Sequence, residues 1–479
     1  MSTIVKNLMD TDIADFSVKY ATKLGASYSE TRLVSLDGNS FVLKNSIPEI
    51  SAFGKTCGIG MRIILNGHMG FMSTNNLDKS NIRTEIEKTI SMLKRGEKIA
   101  VEEELSREES FKVKDIVKQK EKMQDKSADE KLALLTDIDK ALVSQKFEVS
   151  GRYLTISDVM ENKYFVTSEG TEIHQEIPRI NVVYLLTVGS GQKSVQRYQT
   201  YNGVGGWEIL KDWNLIKTLV DESKSLNDNI VNGIKAPKGV IDVIAAPEVV
   251  GIAVHESTGH PYEADRIFGR EGAQAGESFV TEKMLGEQIG SGIVNVVDDP
   301  QLENNGGYYR FDDEGVKARR KFLIKDGKIN EFLHNRSTAA KMNLKSNGSA
   351  RAAEYSVEPI VRMSNTFMLP GKLSEEELIE DVKLGVYMKN FTEWNIDDKR
   401  FNQRYIGSEA YLIKNGKICE PVKRPVLEVT TPTFYSSIDG LSKKVGFVGG
   451  SCGKGEPMQG IPVTMGGPTI RLRNIKLGG

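Results

Sequence analysis

The chain has 479 residues, 39% of them apolar and 27% charged, which is an ordinary composition for a folded protein and a length beyond one hydrophobic core. Lysine and arginine number 64 against 65 acidic residues, so the net charge of -1 does not indicate a nucleic-acid or anionic-membrane partner. The sequence predicts a cytoplasmic protein, because its start has no apolar leader, no run reaches the roughly 18 apolar residues of a membrane span, and its 3 cysteines are widely separated.

The first part of the chain combines helices with strands. Apolar side chains recur at helical spacing over residues 10–24 and again over 82–93, which predicts two amphipathic helices. Between them, segment 57–74 has two β-favouring runs around Asn66-Gly67, the pattern of a hairpin. This opening therefore indicates an α+β fold.

The middle of the N-terminal half changes character twice. Residues 102–131 are heavily charged and predict a long solvated helix or a mobile connection. Ser127 and Glu130 form a capping box at the start of another helix. The alternating, β-branched segment 150–201 then predicts an antiparallel meander with turns at 161–163 and 169–170.

A domain boundary is predicted near residue 230. A helix at about 207–226 leads into a segment at 232–239 that has the composition of a linker. We therefore expect an N-terminal α+β domain over 1–230, with helical and β-meander parts. A β-rich C-terminal domain over 231–479 would have few helices and would carry the chemistry.

The second domain contains the letters HESTGH, which place His255 and Glu256 before a second histidine, His260. Zinc peptidases commonly use His-Glu-x-x-His, in which two ligands lie one helical turn apart and the glutamate is the base. Here the second histidine comes one residue late. With only 5 histidines in the chain, a coincidental match is rare, so the motif indicates a metal site.

Local signals predict how the late histidine could still reach the ion. A strand over 239–246 is followed by Pro247, which is typical of a first helical residue. Gly259 is a natural helix end and Pro261 disfavours helical geometry at the residue before it. The sequence therefore predicts that the helix ends at Gly259 and that His260 turns back toward His255 on the way out.

The third ligand of a catalytic zinc, which needs three protein ligands and one open position, has two candidates. Glu263 follows His260 closely, although it could instead pair with a nearby arginine. Cys452 lies in a glycine-rich segment interpreted as a tightly bent loop, which does not match the phosphate-binding loop pattern. The residues alone leave the choice between Glu263 and Cys452 open.

Several longer segments resemble one family of metallopeptidases. They are HESTGHPYEAD, VVDDPQLENNGGYYRFDDEG, NGSARAAEYSVEPIVRMSNTFMLPG, AYLIKNGKI and GGSCGKGEPMQGIPVTMGGPTIRLRNIKLGG. They cover most of the second domain and resemble the TldD/PmbA family, and within it the TldD-type catalytic subunit. CGIGMRIILNGHMGFMST is similar to the first domain of that family.

The resemblance implies a set of site residues and partners. It implies a zinc ion, one per chain, held by His255, His260 and Cys452, with Glu256 as the catalytic residue. It also implies an N-terminal mixed α/β domain, a β-rich C-terminal domain carrying the metal-site helix, and cleavage of unfolded or flexible peptides. We expect a PmbA/TldE-like partner subunit or a homodimer. We expect no nucleic-acid partner and no membrane partner.

The chemistry of these residues predicts a mechanism. Zinc lowers the pKa of a coordinated water to about 7 and polarises a carbonyl, and Glu256 is placed to take the proton and pass it to the leaving amine. Arg351, Arg362 or a backbone amide could stabilise the oxyanion. An edge strand at 409–414 could pair with an extended substrate.

Other interpretations stay open at this point. Cys452 could be the nucleophile of a cysteine hydrolase, the chain could be a non-catalytic regulatory subunit, or zinc could be structural with Glu263 as fourth ligand. Iron or cobalt would also accept this ligand set. The acidic run 312–314 is interpreted as a turn with solvated charges, because no histidine or cysteine accompanies it.

Overall fold

The computed structural model describes residues 9–96, 102–191, 193–269 and 277–478. The sequence predicts no apolar leader at the start of the chain. Residues 1–8 of that start lie outside the described ranges. Among the described residues, no helix combines the length and the apolar character needed to cross a membrane.

Ten α-helices and twenty-three strands are interspersed along the described residues. The helices are α1 (Thr11–Lys23), α2 (Lys79–Gly96), α3 (Ala128–Val143), α4 (Leu210–Trp213), α5 (Leu215–Asn232), α6 (Pro247–Val254), α7 (Ala264–Ile267), α8 (Arg336–Lys341), α9 (Glu375–Glu380) and α10 (Thr431–Ser436). The strands of the first half are β1 (Tyr28–Lys44), β2 (Ile47–Leu65), β3 (His68–Thr74), β4 (Lys112–Ile116), β5 (Glu148–Thr167), β6 (Glu172–Ser190), β7 (Lys193–Val204) and β8 (Ile234–Lys235). The remaining strands are β9 (Gly239–Ala245), β10 (Val296–Asp298), β11 (Lys321–Lys325), β12 (Lys328–Ile329), β13 (Ala350–Arg351), β14 (Ile360–Val361), β15 (Asn365–Met368), β16 (Leu384–Met388), β17 (Phe391–Ile396), β18 (Asn402–Gly407), β19 (Ala410–Lys414), β20 (Lys417–Lys423), β21 (Val426–Thr430), β22 (Ile438–Lys454) and β23 (Gln459–Gly478).

The N-terminal half is a long antiparallel sheet with helices on one face. The strands pair in the order β3, β2, β1, β5, β6, β7. Helices α1 and α2 pack over one end, around Leu33, while α3 and α5 pack over the other, around Phe41. Leu33 and Phe41 are both odd-numbered on β1, so the two helix pairs cover the same face. This mixed α/β architecture confirms the predicted fold class.

Most of the predicted N-terminal elements are present. The predicted helix over 10–24 is α1, the Asn66-Gly67 hairpin joins β2 to β3 with both residues at positive φ (52° and 79°), and the capping box of Ser127 opens α3. These signals are local, because caps and tight turns act within a few residues.

Two predictions for the middle of this half are wrong. Residues 102–131 contain β4, a short 3-10 turn and the start of α3, so the long-helix alternative is wrong, since β4 pairs in parallel with the start of β6. The turn predicted at 161–163 lies inside β5, which runs unbroken through Lys163 because β1 and β6 hydrogen-bond to it on both sides. Pairing with distant strands outweighed the local polar composition.

The C-terminal half is β-rich and surrounds α6. The β22–β23 hairpin supplies its longest strands, and β23 continues as the neighbour of β9, β15 and β21. A large apolar cluster from Ile241 to Leu477 encloses α6, whose residues from Val249 to Val254 are all buried. A helix surrounded on all sides by strands and loops is held rigidly, which suits a helix that presents reactive side chains.

Strand β19 is not the free edge that was predicted for 409–414. It pairs with β16 on one side and with β20 on the other. An extended peptide has no unpaired edge to join there, so that prediction is wrong.

Buried ion pairs tie the outer face of the N-terminal sheet to the C-terminal half. Arg62 on β2 lies 2.7 Å from Glu30 and 2.8 Å from Glu314, and the three side chains are at most 2% exposed. Lys163 on β5 pairs with Asp313 at 2.9 Å. The acidic run 312–314 is therefore buried, with Asp313 and Glu314 in ion pairs and Asp312 accepting backbone hydrogen bonds, which corrects its interpretation as a turn with solvated charges. The division of the chain near residue 230 stays a prediction.

Candidate metal centre and active site

The metal-site helix begins where the sequence predicted. Pro247 is the first residue of α6, directly after β9. Glu248 in the first turn accepts two hydrogen bonds of 2.7 Å from Arg197 of β7, whose side chain is 1% exposed. A buried arginine from the N-terminal sheet thus fixes the start of the helix that carries the motif.

The motif itself forms a π-helical turn. Residues His255 to Gly259 follow α6 as a π-helix, and the amide of His260 donates to the carbonyl of His255 at 3.1 Å. A π-turn closes over five residues, so positions i and i+5 become neighbours on one face. The extra residue in the histidine spacing is absorbed by this wider turn, and the two imidazoles lie 5.0 Å apart between ring centres.

The helix ends at Gly259, as predicted. His260 nevertheless keeps helical backbone angles (φ -65°, ψ -46°) in spite of Pro261 after it, so the π-turn and not a change of backbone direction brings the two histidines together. Gly259 also permits close packing, because a Cβ there would lie 2.5 Å from the sulfur of Met363. The hydroxyl of Tyr435 bonds to both Ser257 and Thr258, which holds the turn from the opposite side.

Cys452 approaches the turn from β22. It is 4% exposed and pairs across the hairpin with Ile461, so the predicted bent loop is in fact a strand. The neighbouring glycines permit close packing, since a Cβ on Gly449 would lie 2.7 Å from the backbone of Asn202 in β7. The Cys452 thiol lies 3.3 Å from Nε2 of His260.

The structure brings the three predicted metal ligands together. Donor atoms of His255, His260 and Cys452 all lie within 4.8 Å of one another, and all three side chains are buried. Nδ1 of His255 is buried without a hydrogen-bond partner, which is costly unless another group, such as a metal ion, satisfies that site. Two imidazoles and a thiol are the donors that zinc prefers, so the residues fit a zinc ion.

Electrostatics prepare these ligands for a cation. Burial alone would raise the pKa of the Cys452 thiol, but His260 and Arg362 outweigh it and lower the pKa to about 7. Burial lowers the pKa of His255, which keeps the imidazole neutral. A neutral imidazole and an available thiolate are the forms that bind metals.

Glu263 orients a ligand and is not grouped with the ligands themselves. Its Oε2 accepts from Nδ1 of His260 at 3.1 Å and from Arg266 at 2.8 Å, and it lies 3.2 Å from Nζ of Lys454. Burial opposes ionisation, but Lys454 and His260 hold the pKa of Glu263 well below its usual range. Because the carboxylate accepts from Nδ1, the other ring nitrogen, Nε2, faces the thiol. A carboxylate on the second ring nitrogen is the usual support of a metal-binding histidine.

Glu256 pairs with an arginine that the sequence did not reveal. Oε2 of Glu256 accepts from Nη1 of Arg400 at 2.6 Å, and the two side chains are 10% and 15% exposed. Burial would raise the pKa of Glu256, but His260 and Arg400 outweigh it and lower the pKa. Arg400 lies in the turn between β17 and β18, far along the chain, so no motif spacing could indicate it.

The two arginines suggested as oxyanion donors have other partners. Arg362 donates to the backbone carbonyls of Gln459 and Cys452 and so holds the thiol-bearing strand. Arg351 donates to the carbonyls of Met363 and Pro462 at 2.9 Å each and lines a different cavity.

A cavity of about 360 Å³ opens onto the four candidate residues. His255, Glu256, His260 and Cys452 all line it, together with Arg400. Much of the remaining wall is apolar or aromatic and is formed by Ile252, Val448, Val463, Met465, Phe391, Trp394 and Tyr198. The site can therefore accept an organic chain against an apolar wall while polar atoms reach it from the other side.

Comparisons with known proteins identify the class. The matching sequence models describe the first domain (residues 29–95), the central domain (121–226) and the C-terminal domain (238–479) of metallopeptidases. All three models describe metallopeptidases, and this is the class to which the chain belongs. The models are those of the PmbA/TldA metallopeptidases, the PmbA/TldD family, and the chain belongs to this family.

Individual relatives agree with that assignment. The chain is 31% identical to a metalloprotease of Methanocaldococcus jannaschii over 93% of its own length and 95% of the relative. It is 28% identical to a zinc metalloprotease TldD homolog of Saccharolobus solfataricus, covering 96% and 99%.

Solved structures share the fold over nearly the whole chain. A crystal structure from Thermotoga maritima, described as a putative modulator of a DNA gyrase, matches with a TM-score of 0.78 at 16% identity, covering 98% of this chain and 100% of the other. TldE from Thermococcus kodakarensis matches with a TM-score of 0.76 at 17% identity, covering 98% and 99%.

Proposed function

We propose that this chain is a zinc-dependent peptidase that hydrolyses peptide bonds in unfolded or flexible peptides. His255, His260 and Cys452 would hold one zinc ion per chain, and Glu256 would be the general base. The observation that carries the proposal is the approach of the three ligand atoms to within 4.8 Å on the wall of the cavity that also exposes Glu256.

Zinc at this position supplies Lewis acidity, which polarises a substrate carbonyl and makes water a stronger acid. The fourth coordination position would stay open, because the group of possible ligands among the described residues has three members. An open position is what separates a catalytic zinc from a structural one.

The side chains of the protein carry out proton transfer and hold the ligands in position. Glu256 accepts the proton of the attacking water and donates it to the departing amine, so that the carboxylate is regenerated at the end of the cycle. Its lowered pKa favours the ionised form that can act as a base. Glu263 keeps His260 oriented, and Arg362 holds the backbone of Cys452.

The proposed substrate class follows from the shape of the site. A cavity of about 360 Å³ has room for a few residues of an extended chain and excludes a folded domain. Tyr198 and Trp394 at its wall are 57% and 46% exposed, which suits contact with apolar side chains of an unfolded peptide.

We further propose that the chain works with a PmbA/TldE-like partner or with a second copy of itself. The support is the family and the TM-score of 0.76 to a protein named TldE. Light scattering of the chain alone and after coexpression with such a partner distinguishes the two arrangements from a monomer.

The decisive experiment combines metal analysis with peptide cleavage. We expect the purified protein to contain one zinc per chain, to lose turnover in a chelator and to regain it with zinc. Glu256→Gln should keep its zinc and lose turnover about 10²- to 10⁴-fold, because only the proton transfer is removed. Cys452→Ser should bind zinc more weakly.

Two results would contradict the proposal. Full activity of Glu256→Gln would exclude that residue as the base, and a metal-free protein that cleaves no peptide with any partner would favour the regulatory-subunit interpretation. Unchanged zinc affinity in Cys452→Ser would return Glu263 to consideration as a ligand.

A cysteine hydrolase is the second candidate. It is favoured by the 3.3 Å separation of the Cys452 thiol from His260 and by the thiol pKa of about 7, which together resemble a thiolate–imidazole pair. Such an enzyme would remain active in a chelator and would be inactivated by alkylation of Cys452. It leaves His255 and Glu256 without a catalytic role, which is why we place it second.

A further inference from the structure

We propose that Arg400 is a positioning residue that fixes the orientation of the Glu256 carboxylate for proton transfer. The inference rests on the proposed function of Glu256 as general base. Its observation is the 2.6 Å contact between Nη1 of Arg400 and Oε2 of Glu256, on the wall of the cavity that both ligating histidines and Cys452 line.

The contact uses one oxygen of the carboxylate. Oε2 accepts from the guanidinium, and Oε1 is not part of this contact, so Oε1 is the oxygen assigned to accept a proton from water. The last torsion of a glutamate is broad and roughly two-fold, so a carboxylate without a fixed partner samples many orientations. A rigid, planar donor removes that freedom, and the reaction gains from a base that is already aligned.

The turn that carries Arg400 is itself held in place. Asp397 accepts hydrogen bonds from the amides of Phe401 at 2.7 Å and Asn402 at 3.0 Å. The carbonyl of Arg400 accepts from the hydroxyl of Thr431 at 2.8 Å. The position of the guanidinium is therefore set by the β17–β18 turn and by α10 and not by the flexibility of a surface loop.

Arg400 also adopts an unusual backbone conformation. Its φ of +65° lies in the left-handed region, which favours glycine or asparagine over a long side chain. Such strain persists where the surrounding structure imposes it, and it clusters at active sites. Nε of Arg400 is buried without a hydrogen-bond partner. The position of the side chain therefore leaves one of its own donors unsatisfied.

The test compares three variants with the wild-type protein. Arg400→Gln removes both the positive charge and the planar guanidinium. Arg400→Lys keeps the charge but lacks the planar donor. Arg404→Gln is the matched control, because Arg404 lies on the same hairpin but pairs at 2.9 Å with the exposed Glu428, outside the cavity.

The expected result is a separation of kcat from KM. Arg400→Gln should lower kcat about 10²-fold, as expected for a displaced catalytic group, with KM and zinc content within about threefold of wild type. Arg400→Lys should recover about tenfold of that loss, and Arg404→Gln should stay within about twofold of wild type. A kcat of Arg400→Gln within threefold of wild type, a rise in KM alone, or a loss explained by zinc content would overturn the inference.

A second measurement does not need activity. Crystal structures of the zinc-loaded wild type and Arg400→Gln should differ in the Glu256 carboxylate, which rotates or becomes disordered in the variant. An unchanged carboxylate would overturn the inference. If Glu256→Gln proves fully active, the proposed function fails, and this structural comparison still decides whether Arg400 positions Glu256.

Discussion

At the scale of single residues, the site combines buried carboxylates, cations and a thiol around His260. His260 lies between a carboxylate and a thiol, with Glu263 at 3.1 Å on Nδ1 and Cys452 at 3.3 Å from Nε2. Removing Glu263 would take the buried carboxylate away from Arg266 and Lys454 and would leave Nδ1 of His260 without its acceptor, which is expensive in a low-dielectric interior. The orientation of the candidate ligands therefore depends on side chains outside the group of three.

Zinc affinity should depend on pH through Cys452. Its thiol has a pKa of about 7 in the metal-free protein, so protons compete with zinc below that pH, and the affinity should fall about tenfold for each unit below about 7. Burial lowers the pKa of His255, so this histidine adds proton competition only at lower pH. A zinc titration against a chromophoric chelator from about pH 5.5 to about pH 8 measures this dependence.

The control for this prediction is Cys452→Ser. It should bind zinc more weakly throughout and lack the change of slope near the thiol pKa. A wild-type affinity that stays level below that pH would show that the thiol is not a ligand.

At the scale of elements, the π-turn explains how an unusual spacing still forms a site. In an α-helix, side chains five residues apart point in different directions, whereas the π-turn from His255 to Gly259 makes the first residue a neighbour of His260. The turn is stabilised from outside, by the Tyr435 hydroxyl on Ser257 and Thr258. This outside support is what makes the wider turn persist.

Removing that hydroxyl should weaken both the fold and the metal site. We expect Tyr435→Phe to lower the free energy of unfolding by about 1–2 kcal/mol, the cost of a lost buried hydrogen bond, and also to lower zinc affinity. Denaturant unfolding and chelator competition measure the two effects.

Tyr309→Phe provides a matched comparison for Tyr435→Phe. The buried Tyr309 hydroxyl donates to the carbonyl of Gly348 at 2.9 Å, away from the turn. It should lose similar stability and keep wild-type zinc affinity. Equal zinc affinities in the two variants would show that the tyrosine does not support the metal site.

At the scale of the whole molecule, buried ion pairs join the two halves. Arg62 forms ion pairs with Glu30 of its own sheet and with Glu314 of the C-terminal half. Arg197 on β7 holds the start of α6 in the same way. The site is therefore built on the C-terminal half but is positioned partly by the N-terminal sheet.

Breaking the central pair should destabilise the protein strongly. Arg62→Met removes the cation that pairs with two buried carboxylates, which we expect to lower the free energy of unfolding by about 3–5 kcal/mol. Guanidinium unfolding measures the change. Lys88→Met is the control, because Lys88 pairs with Glu85 on the exposed face of α2 and should change stability by less than about 1 kcal/mol. Similar losses in both variants would refute a special role for Arg62.

Features encoded by neighbouring residues could be predicted from the sequence. The start of α6 at Pro247, the capping box of Ser127 and the Asn66-Gly67 hairpin are present because caps and turns depend on a few adjacent residues. The rarity of the HESTGH motif indicated a metal site, and the resemblance to a known family suggested Cys452 as its distant member.

Only the tertiary structure decided the features that depend on distant partners. The π-turn, the contact of Arg400 with Glu256 and the burial of 312–314 all arise from groups far apart in the chain. Local signals at Gly259 and Pro261 predicted the end of the helix at Gly259, but they did not predict the π-turn before it, where the hydroxyl of Tyr435 bonds to Thr258. The physical reason is that local propensities are worth about 1 kcal/mol, whereas the burial and pairing of a packed site amount to several times more.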